Sequence, residues 1–389
     1  MRLHFIAILV LFTGATALFG QDTTNTTFGK GLINLVAKDS TWATKTTFRI
    51  QTRYDGLFID DDGLENQYTD RFRVRRARIK GSGWATKSRR LKYKFEYDVH
   101  NGFVLDAVVK WVFDKNRNWE LWFGQTKLPG NMERVISSQA MVFVDRSLLN
   151  SRFTLDRDAG IQLHGKQKLG DNFEVKEKFA LSQGEGLNQV LRSTGSSYTA
   201  RVELFPLGSF KDAYVGSDFK RHDKVKLMIA FTYDYNKDAL RQRGQLGSYI
   251  DLSLSPKSLE TIFVDAHFKY KGLSWMTEYA QRATDDDDPI LVDLDYEGPD
   301  DPASATYYTG SSLNTQLAYL LPSNWEFAGR YTIVTPQKET GYADQTQYGF
   351  AASRYIVGHN LKVQADVQLL QVDGVPDQAR FRLQTEFTF

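Results

Sequence analysis

"HNLKVQADVQL", residues 359–369, decides the fold class. Leu361, Val363, Ala365, Val367 and Leu369 fall on one face, and Lys362, Gln364, Asp366 and Gln368 fall on the other. Alternation this strict has the period of a β-strand with one apolar and one wet face. "LKYKFEYDV" at 91–99 repeats it, with Leu91, Tyr93, Phe95, Tyr97 and Val99 opposing Lys92, Lys94, Glu96 and Asp98. The last residues do the same: Phe381, Leu383, Thr385, Phe387 and Phe389 oppose Arg380, Arg382, Gln384 and Glu386.

Working outward on this period predicts strands near 46–58, 69–81, 91–99, 104–114, 117–126, 158–167, 172–182, 197–205, 225–236, 260–270, 273–282, 311–320, 325–334, 345–356, 359–370 and 379–389. No helical period competes over a comparable length, so the chain reads as all-β. Many of these strands are close to the ~9–11 residues that cross a bilayer when tilted.

The connections carry a second rhythm. Short ones at 82–90, 115–116, 168–171, 271–272, 322–324 and 358–359 alternate with mostly longer ones, including 127–157, 183–196, 237–259 and 283–310. Short turns at one end and long loops at the other predict a transmembrane up-and-down antiparallel β-barrel. "PLGSFKDAYVGSDFKRHDK" at 206–224 is long where a short turn is expected. It leaves room for an irregular strand, so the expected number of about sixteen stands to within roughly two.

Composition alone does not decide between solvents. A 41% hydrophobic content and a mean hydropathy of −0.43 suit a soluble protein and a membrane barrel equally. The length of 389 residues permits one large β domain or two to three ordinary ones. A soluble β-sandwich would bury a core of Leu, Ile and Val. Here the apolar faces carry Trp111, Trp119, Trp275, Trp325, Tyr233 and Tyr235, often toward strand ends, as interfacial aromatic girdles do.

The first twenty residues read as a secretory signal peptide. Arg2 supplies the positive region, Phe5 to Phe12 the apolar run, and "GATALFGQ" the small residues before cleavage, after Ala17 or just before Gln21. Residues 21–45 are then expected as a periplasmic extension and 46–389 as the outer-membrane barrel. No later apolar stretch approaches the ~20 residues of a spanning helix. The chain has no cysteine, although export would carry it to a disulfide-permissive compartment.

Within this frame "RFRVRRARIKG" at 71–81 stands out, because the whole chain holds 49 basic and 47 acidic residues. Phe72 and Val74 alternate with Arg71, Arg73 and Arg75. The parity then slips, and Ala77 and Ile79 alternate with Arg76, Arg78 and Lys80. A β-bulge at Arg75–Arg76 lets both arginines face the lumen, whereas a charge on the lipid face at mid-membrane costs about 2–4 kcal/mol.

The 127–157 connection holds the apolar run Ala140 to Val144, out of place in an exposed loop. Folding it into the barrel buries that run and brings Lys127, Arg134, Arg146, Arg152 and Arg157 toward the basic strand. Glu133, Asp145, Asp156 and Asp158 would orient or partly neutralise these groups. Arginines in a low-dielectric constriction favour anions and offer bidentate donors to phosphate-like groups.

"VRRARIKGSG" (74–83), "YKFEYD" (93–98), "WFGQTKLP" (122–129), "SSQAMVFVDRSL" (137–148) and "RDAGIQLHG" (157–165), in this order and spacing, resemble the phosphate-selective porin O and P family. The resemblance covers nearly the whole mature chain. It implies a sixteen-stranded outer-membrane barrel, often a homotrimer in the lipid, with the third extracellular loop folded into the pore. It also implies that Arg75 and Arg76 match an anion-contacting pair on the pore wall. One position departs: after "SS", where members often place Lys or Arg, this chain has Gln139. The wet strand faces are mixed as well, with Arg49, Arg53, Lys226, Arg330 and Lys362 against Asp55, Glu120, Glu203, Asp265 and Glu278. A general or weakly selective pore is the alternative these residues keep open.

Other signals carry less. "DDDG" at 60–63 and "DDDD" at 285–288, with Asp293, Asp295, Asp300 and Asp301, lack the full ligand pattern of a calcium loop. His100, His164, His222, His267 and His359 show no metal-ligand spacing. His164 and Ser182 fall on adjacent predicted strands, the nearest approach to a barrel enzyme, and nothing else supports them. A basic run without a folded module on an exported chain gives no nucleic-acid reading. The expectation is a passive channel for small anions such as phosphate, with neither cofactor nor metal. An adhesion or structural barrel would be set apart by the lack of conductance.

Overall fold

The computed structural model describes residues 28–60, 67–170, 172–189, 195–250, 254–292 and 304–389. The expected signal peptide lies outside them, as do Asp61 to Gly63 and Asp293, Asp295, Asp300 and Asp301 of the acidic runs.

Sixteen antiparallel strands close into one ring. They are β1 (Trp42–Asp60), β2 (Gln67–Ala85), β3 (Leu91–Asp98), β4 (Phe103–Val112), β5 (Trp119–Lys127), β6 (Arg157–Lys168), β7 (Glu174–Ser182) and β8 (Ser197–Phe205). The second half comprises β9 (Lys226–Asn236), β10 (Leu259–Tyr270), β11 (Leu273–Thr284), β12 (Gly310–Leu320), β13 (Trp325–Pro336), β14 (Gln345–Val357), β15 (Leu361–Val372) and β16 (Val375–Thr388). Each pairs with the next, and β16 returns to β1 in a register running from Asp377 opposite Asp60 to Thr388 opposite Arg49. Closure leaves no unpaired edge, which a sheet surrounded by lipid requires. Two short additions are sequence-local: Ile33–Val36 pairs with the start of β1, and Ile290–Val292 pairs with Ser304–Thr306 in the β11–β12 connection.

The period-two pattern sets which side each residue faces. Phe72, Phe123, Phe231, Leu317, Phe350 and Val367 are exposed on the outer surface. Their neighbours Thr232, Gln316 and Gln368 are buried inside. β1 and β2 run to 19 residues each, well past the 46–58 and 69–81 expected from alternation.

The interior is largely occupied. The β5–β6 connection contains α1 (Met132–Val135) and α2 (Leu148–Phe153), the latter capped by Ser147 accepting from the Asn150 amide. Its backbone and side chains bond to β1, β8, β11, β13 and β15 through Arg49, Arg201, Arg282, Arg330 and Lys362. A segment bonded to so many non-adjacent strands of a closed ring crosses its interior. Small inward residues make room for it: Phe143 packs among Ala318, Ala328 and Ala351.

The 206–224 segment has no strand. It turns in from the other end, where both termini of the barrel lie, and packs Phe210 and Ala213 against Met132, Ile136, Ala140 and Met141. Gly216 N donates to Ala140 O at 2.9 Å, joining the two inward segments directly. Its extra length therefore fills the lumen instead of adding a strand.

Two glycines on the wall test the closeness of this packing. At Gly124, φ is +123° and a Cβ would lie 2.2 Å from Ala107 O, whereas at Gly81 a Cβ would meet nothing within 4 Å. Gly124→Val should therefore lose most of the heat-modifiable folded band on electrophoresis, at a strain cost of about 1–3 kcal/mol. Gly81→Val should fold like the parent.

Candidate functional site

The basic strand is built as its residues require. In the β1–β2 ladder Gln51 pairs with Arg76 and Thr52 with Val74, so Arg75 is the extra residue of a bulge. Phe72, Val74 and Ile79 are exposed on the outside, while Arg75, Arg76, Arg78 and Lys80 all line one interior cavity.

That cavity has a volume of about 700 Å³ and follows the inner wall of β2 to β7. It extends from Asn101 and Leu187, in connections at the long-loop end, to Arg117 and Asn118 in the turn at the other end. The opposite half of the ring is taken up by the two inward segments. Fourteen Lys and Arg residues line the cavity against four carboxylates, Glu96, Asp98, Glu120 and Asp156. In a chain with a formal net charge of only +2, this is strong segregation.

Eight of the eleven basic residues singled out in the sequence line it: Arg75, Arg76, Arg78, Lys80, Lys127, Arg134, Arg146 and Arg157. Arg71 and Arg73 do not; both lie against Asp55, at 3.8 and 2.7 Å. Arg152 is on the far side of the loop, bonded to Gln345 at 3.2 Å and over the Tyr308 ring. Among the acids, Asp156 lines the cavity and pairs with Arg134. Asp145 stands behind the wall, 2.6 Å from Arg53, 3.6 Å from Arg382, 3.7 Å from Arg75 and 4.0 Å from Arg76. Asp158 turns away and accepts from the Gly184 and Ala159 amides instead.

The loop's cations are oriented by its own backbone. Lys127 donates to the Arg134 and Ile136 carbonyls at 2.7 and 3.1 Å, and Arg146 donates to those of Glu133 and Ile136, both at 3.0 Å. Carbonyl acceptors hold a cation in place without cancelling its charge. Arg78, by contrast, is matched by Glu96 and Asp98 at 3.0 and 2.9 Å. Arg75, Arg76 and Arg134 each keep an Nε–H with no protein acceptor.

Sequence reasoning missed Lys94, Lys110, Arg117, Lys166, Lys176 and Lys178 of the lining. Each lysine is a lone wet position in an alternating strand and unremarkable by itself. The available signal was their recurrence, since β2, β3, β4, β6 and β7 each bring a lysine to the same wall. Lys110 sits 3.3 Å above the Trp122 ring, whose plane stacks on His164 at 4.0 Å. This stack uses His164 structurally.

Asp212, Asp218 and His222 form the one carboxylate–imidazole cluster of metal-ligand size among the described residues. Its groups already have partners. Lys269 lies 3.1 Å from Asp212, and His222 bridges Asp218 at 2.6 Å and Asp212 at 3.3 Å. The cluster fastens the 206–224 segment to β10.

Comparison with known proteins agrees with the barrel fold. A family model described as phosphate-selective porin O and P matches residues 45–349. Among solved structures, the outer membrane channel DcaP of Acinetobacter baumannii is 13% identical, with a TM-score of 0.56 over 91% of this chain and 99% of its own. OprB of Pseudomonas putida is 9% identical, with a TM-score of 0.56 over 88% and 94%. An anion-selective porin from Comamonas acidovorans is 10% identical, with a TM-score of 0.53 over 90% and 100%. At such identities the structures speak for the fold alone. No curated protein matches the chain.

Gln139, the position where the sequence departs from its resemblance, is not in the cavity wall. Its Nε2 donates to Asn360 Oδ1 at 2.9 Å, Thr388 Oγ1 at 3.1 Å and His359 O at 3.3 Å. A lysine ammonium would be drawn to the same three acceptors. Gln139→Lys should therefore leave the reversal potential in a KCl gradient unchanged; a clear shift toward anions would show that this side chain reaches the conducting path.

Proposed function

Because the chain belongs to the phosphate-selective porin O and P family, a family of channels in the bacterial outer membrane, we propose that it is a passive diffusion pore that prefers small anions, phosphate among them. The observation that carries this reading is the lining of fourteen cations and four carboxylates in a nearly neutral chain. A solute moving along β2 to β7 meets guanidinium and ammonium groups at every level, in a space whose protein walls focus their field. Selectivity then follows from width and fixed charge, and no bond is made or broken.

The proposed division of labour is specific. Arg75 and Arg76, brought to the same side by the bulge, and Arg134 and Arg146 from the loop present donors at the narrowed level. Asp145 holds the two strand arginines apart and upright from behind. The four carboxylates of the lining temper the field, which keeps an anion from being trapped. In the membrane we further propose a homotrimer, in keeping with the family resemblance.

Planar-bilayer recordings test the reading directly. Reversal potentials in a KCl gradient should show anion preference, and added phosphate should reduce the chloride current. The double variant Arg75→Ala, Arg76→Ala should lower the anion-to-cation permeability ratio about fivefold, the effect of ~1 kcal/mol of charge interaction across water at ~4 Å. The barrel should still assemble, because Asp145 keeps Arg53 and Arg382 as partners when both are removed. A cation-selective or silent parent would overturn the proposal; failure of the variant to assemble would make the pair structural.

A further inference from the structure

Charge is also segregated along the barrel axis, outside the conducting cavity. Among the described residues, the connections at the end carrying the barrel's termini, among them 37–41, 86–90, 113–118, 206–225 and 271–272, hold eight exposed Lys and Arg residues besides Arg117 of the cavity lining, including Lys87, Arg89, Lys115, Lys220 and Lys271. Among the described residues they hold two exposed carboxylates, Asp39 and Asp223. The described connections at the other end reverse the balance, with seven exposed carboxylates, among them Asp285 to Asp288 and Asp373, and two exposed lysines, Lys237 and Lys338.

The basic face is wide. From the β2–β3 turn to the β10–β11 turn it covers eight strand spacings, about 40 Å of rim at ~4.8 Å each. A single small anion touches one turn and leaves the rest unused. A macromolecular surface of ordinary interface size, ~800 Å² per partner, spans such a face. The bases also stand on the turns, while exposed apolar side chains lie at strand ends of the same rim, Trp111 and Phe113 beside the β4–β5 turn and Trp325 and Ile356 beside the β12–β13 and β14–β15 turns. Side chains meant for lipid headgroups would occupy that outward rim. These instead face the water beyond the membrane, around the place where Arg117 and Lys166 line the end of the cavity.

We propose that this end of the barrel is a docking surface for an acidic protein, which meets the channel where solute passes in or out. Charge complementarity of this kind speeds encounter and orients the partner, and it weakens with salt because the groups are exposed. The proposal relies on the channel reading only for its readout.

The test uses the full-length reconstituted barrel with poly-L-glutamate as the acidic probe. The chain has no cysteine, so Asp373→Cys, labelled with an impermeant thiol reagent, reports which end faces each chamber. Poly-L-glutamate should reduce current from the turn end only, and the effect should fade at high salt. Lys87→Gln, Arg89→Gln, Lys115→Gln and Lys271→Gln together should weaken the block at least tenfold, with parental conductance and selectivity. Block of equal strength from both ends would overturn the proposal. So would a voltage-dependent block that survives the four rim changes and is lost with Arg75→Ala and Arg76→Ala, which would mark entry into the pore. A rim effect seen only in membranes containing anionic phospholipid would assign the surface to headgroups instead. A barrel without conductance would fail the channel reading, and direct binding of labelled poly-L-glutamate would still decide the docking surface.

Discussion

The interior arrangement depends on one carboxylate. Asp145 sits at the tip of the inward loop and faces Arg53 on β1, Arg75 and Arg76 on β2, and Arg382 on β16. These strands adjoin the seam where the ring closes. The same residue's backbone carbonyl accepts from Arg330 on β13, three strands from β16 around the ring. One residue thus ties the loop to four strands, β1, β2, β13 and β16, and lies beside both bulged arginines. Removing Asp145 would leave Arg53 and Arg382, both buried, short of a carboxylate partner, and an unmatched buried charge is costly. The loop's path is specified by charge together with apolar packing, including Phe143 under Arg330 and Met132, Ile136 and Met141 against the second inward segment.

This knot belongs to a larger sorting of charge. In the filled half, cations and anions neutralise one another: Arg49 with Glu386, Arg201 with Glu203 and Asp265, Arg382 with Asp366. In the open half, cations outnumber anions and several are held by carbonyl oxygens. The near-equality of the whole chain, 49 basic against 47 acidic residues, therefore requires acidic residues outside the lining to offset its positive charge, and exposed connections such as Asp285 to Asp288 supply part of them. The sorting follows from which strands the two inward segments cover.

Much of this was legible in the residues. The period of two gave the strands and their number, and the parity slip at Arg75–Arg76 gave the bulge, because both are local properties of the chain. The apolar run Ala140 to Val144 marked the loop as one that needed a core. The mixed wet faces were not decipherable, since Arg330 and Lys94 look alike as isolated polar positions. One meets the loop and the other meets the cavity only because of where distant segments lie. For the same reason Arg152 and Asp158 were grouped with a site they do not join. The length of 206–224 is plain in the sequence, but its place inside the ring depends on partners on β10, β13 and the inward loop.

That second inward segment bears on how the chain reaches this state. Its Ser217 meets Glu326 and Tyr355, its Ala213 carbonyl meets His267, and its Gly216 meets the loop from the other end. None of these partners is in its final place until the strands that carry them have joined the sheet, and most are far apart in sequence. Contacts of such long separation form slowly because loop-closure entropy is lost before they reward it. The cavity's final shape therefore depends on contacts that bring together segments entering from the two ends of the cylinder.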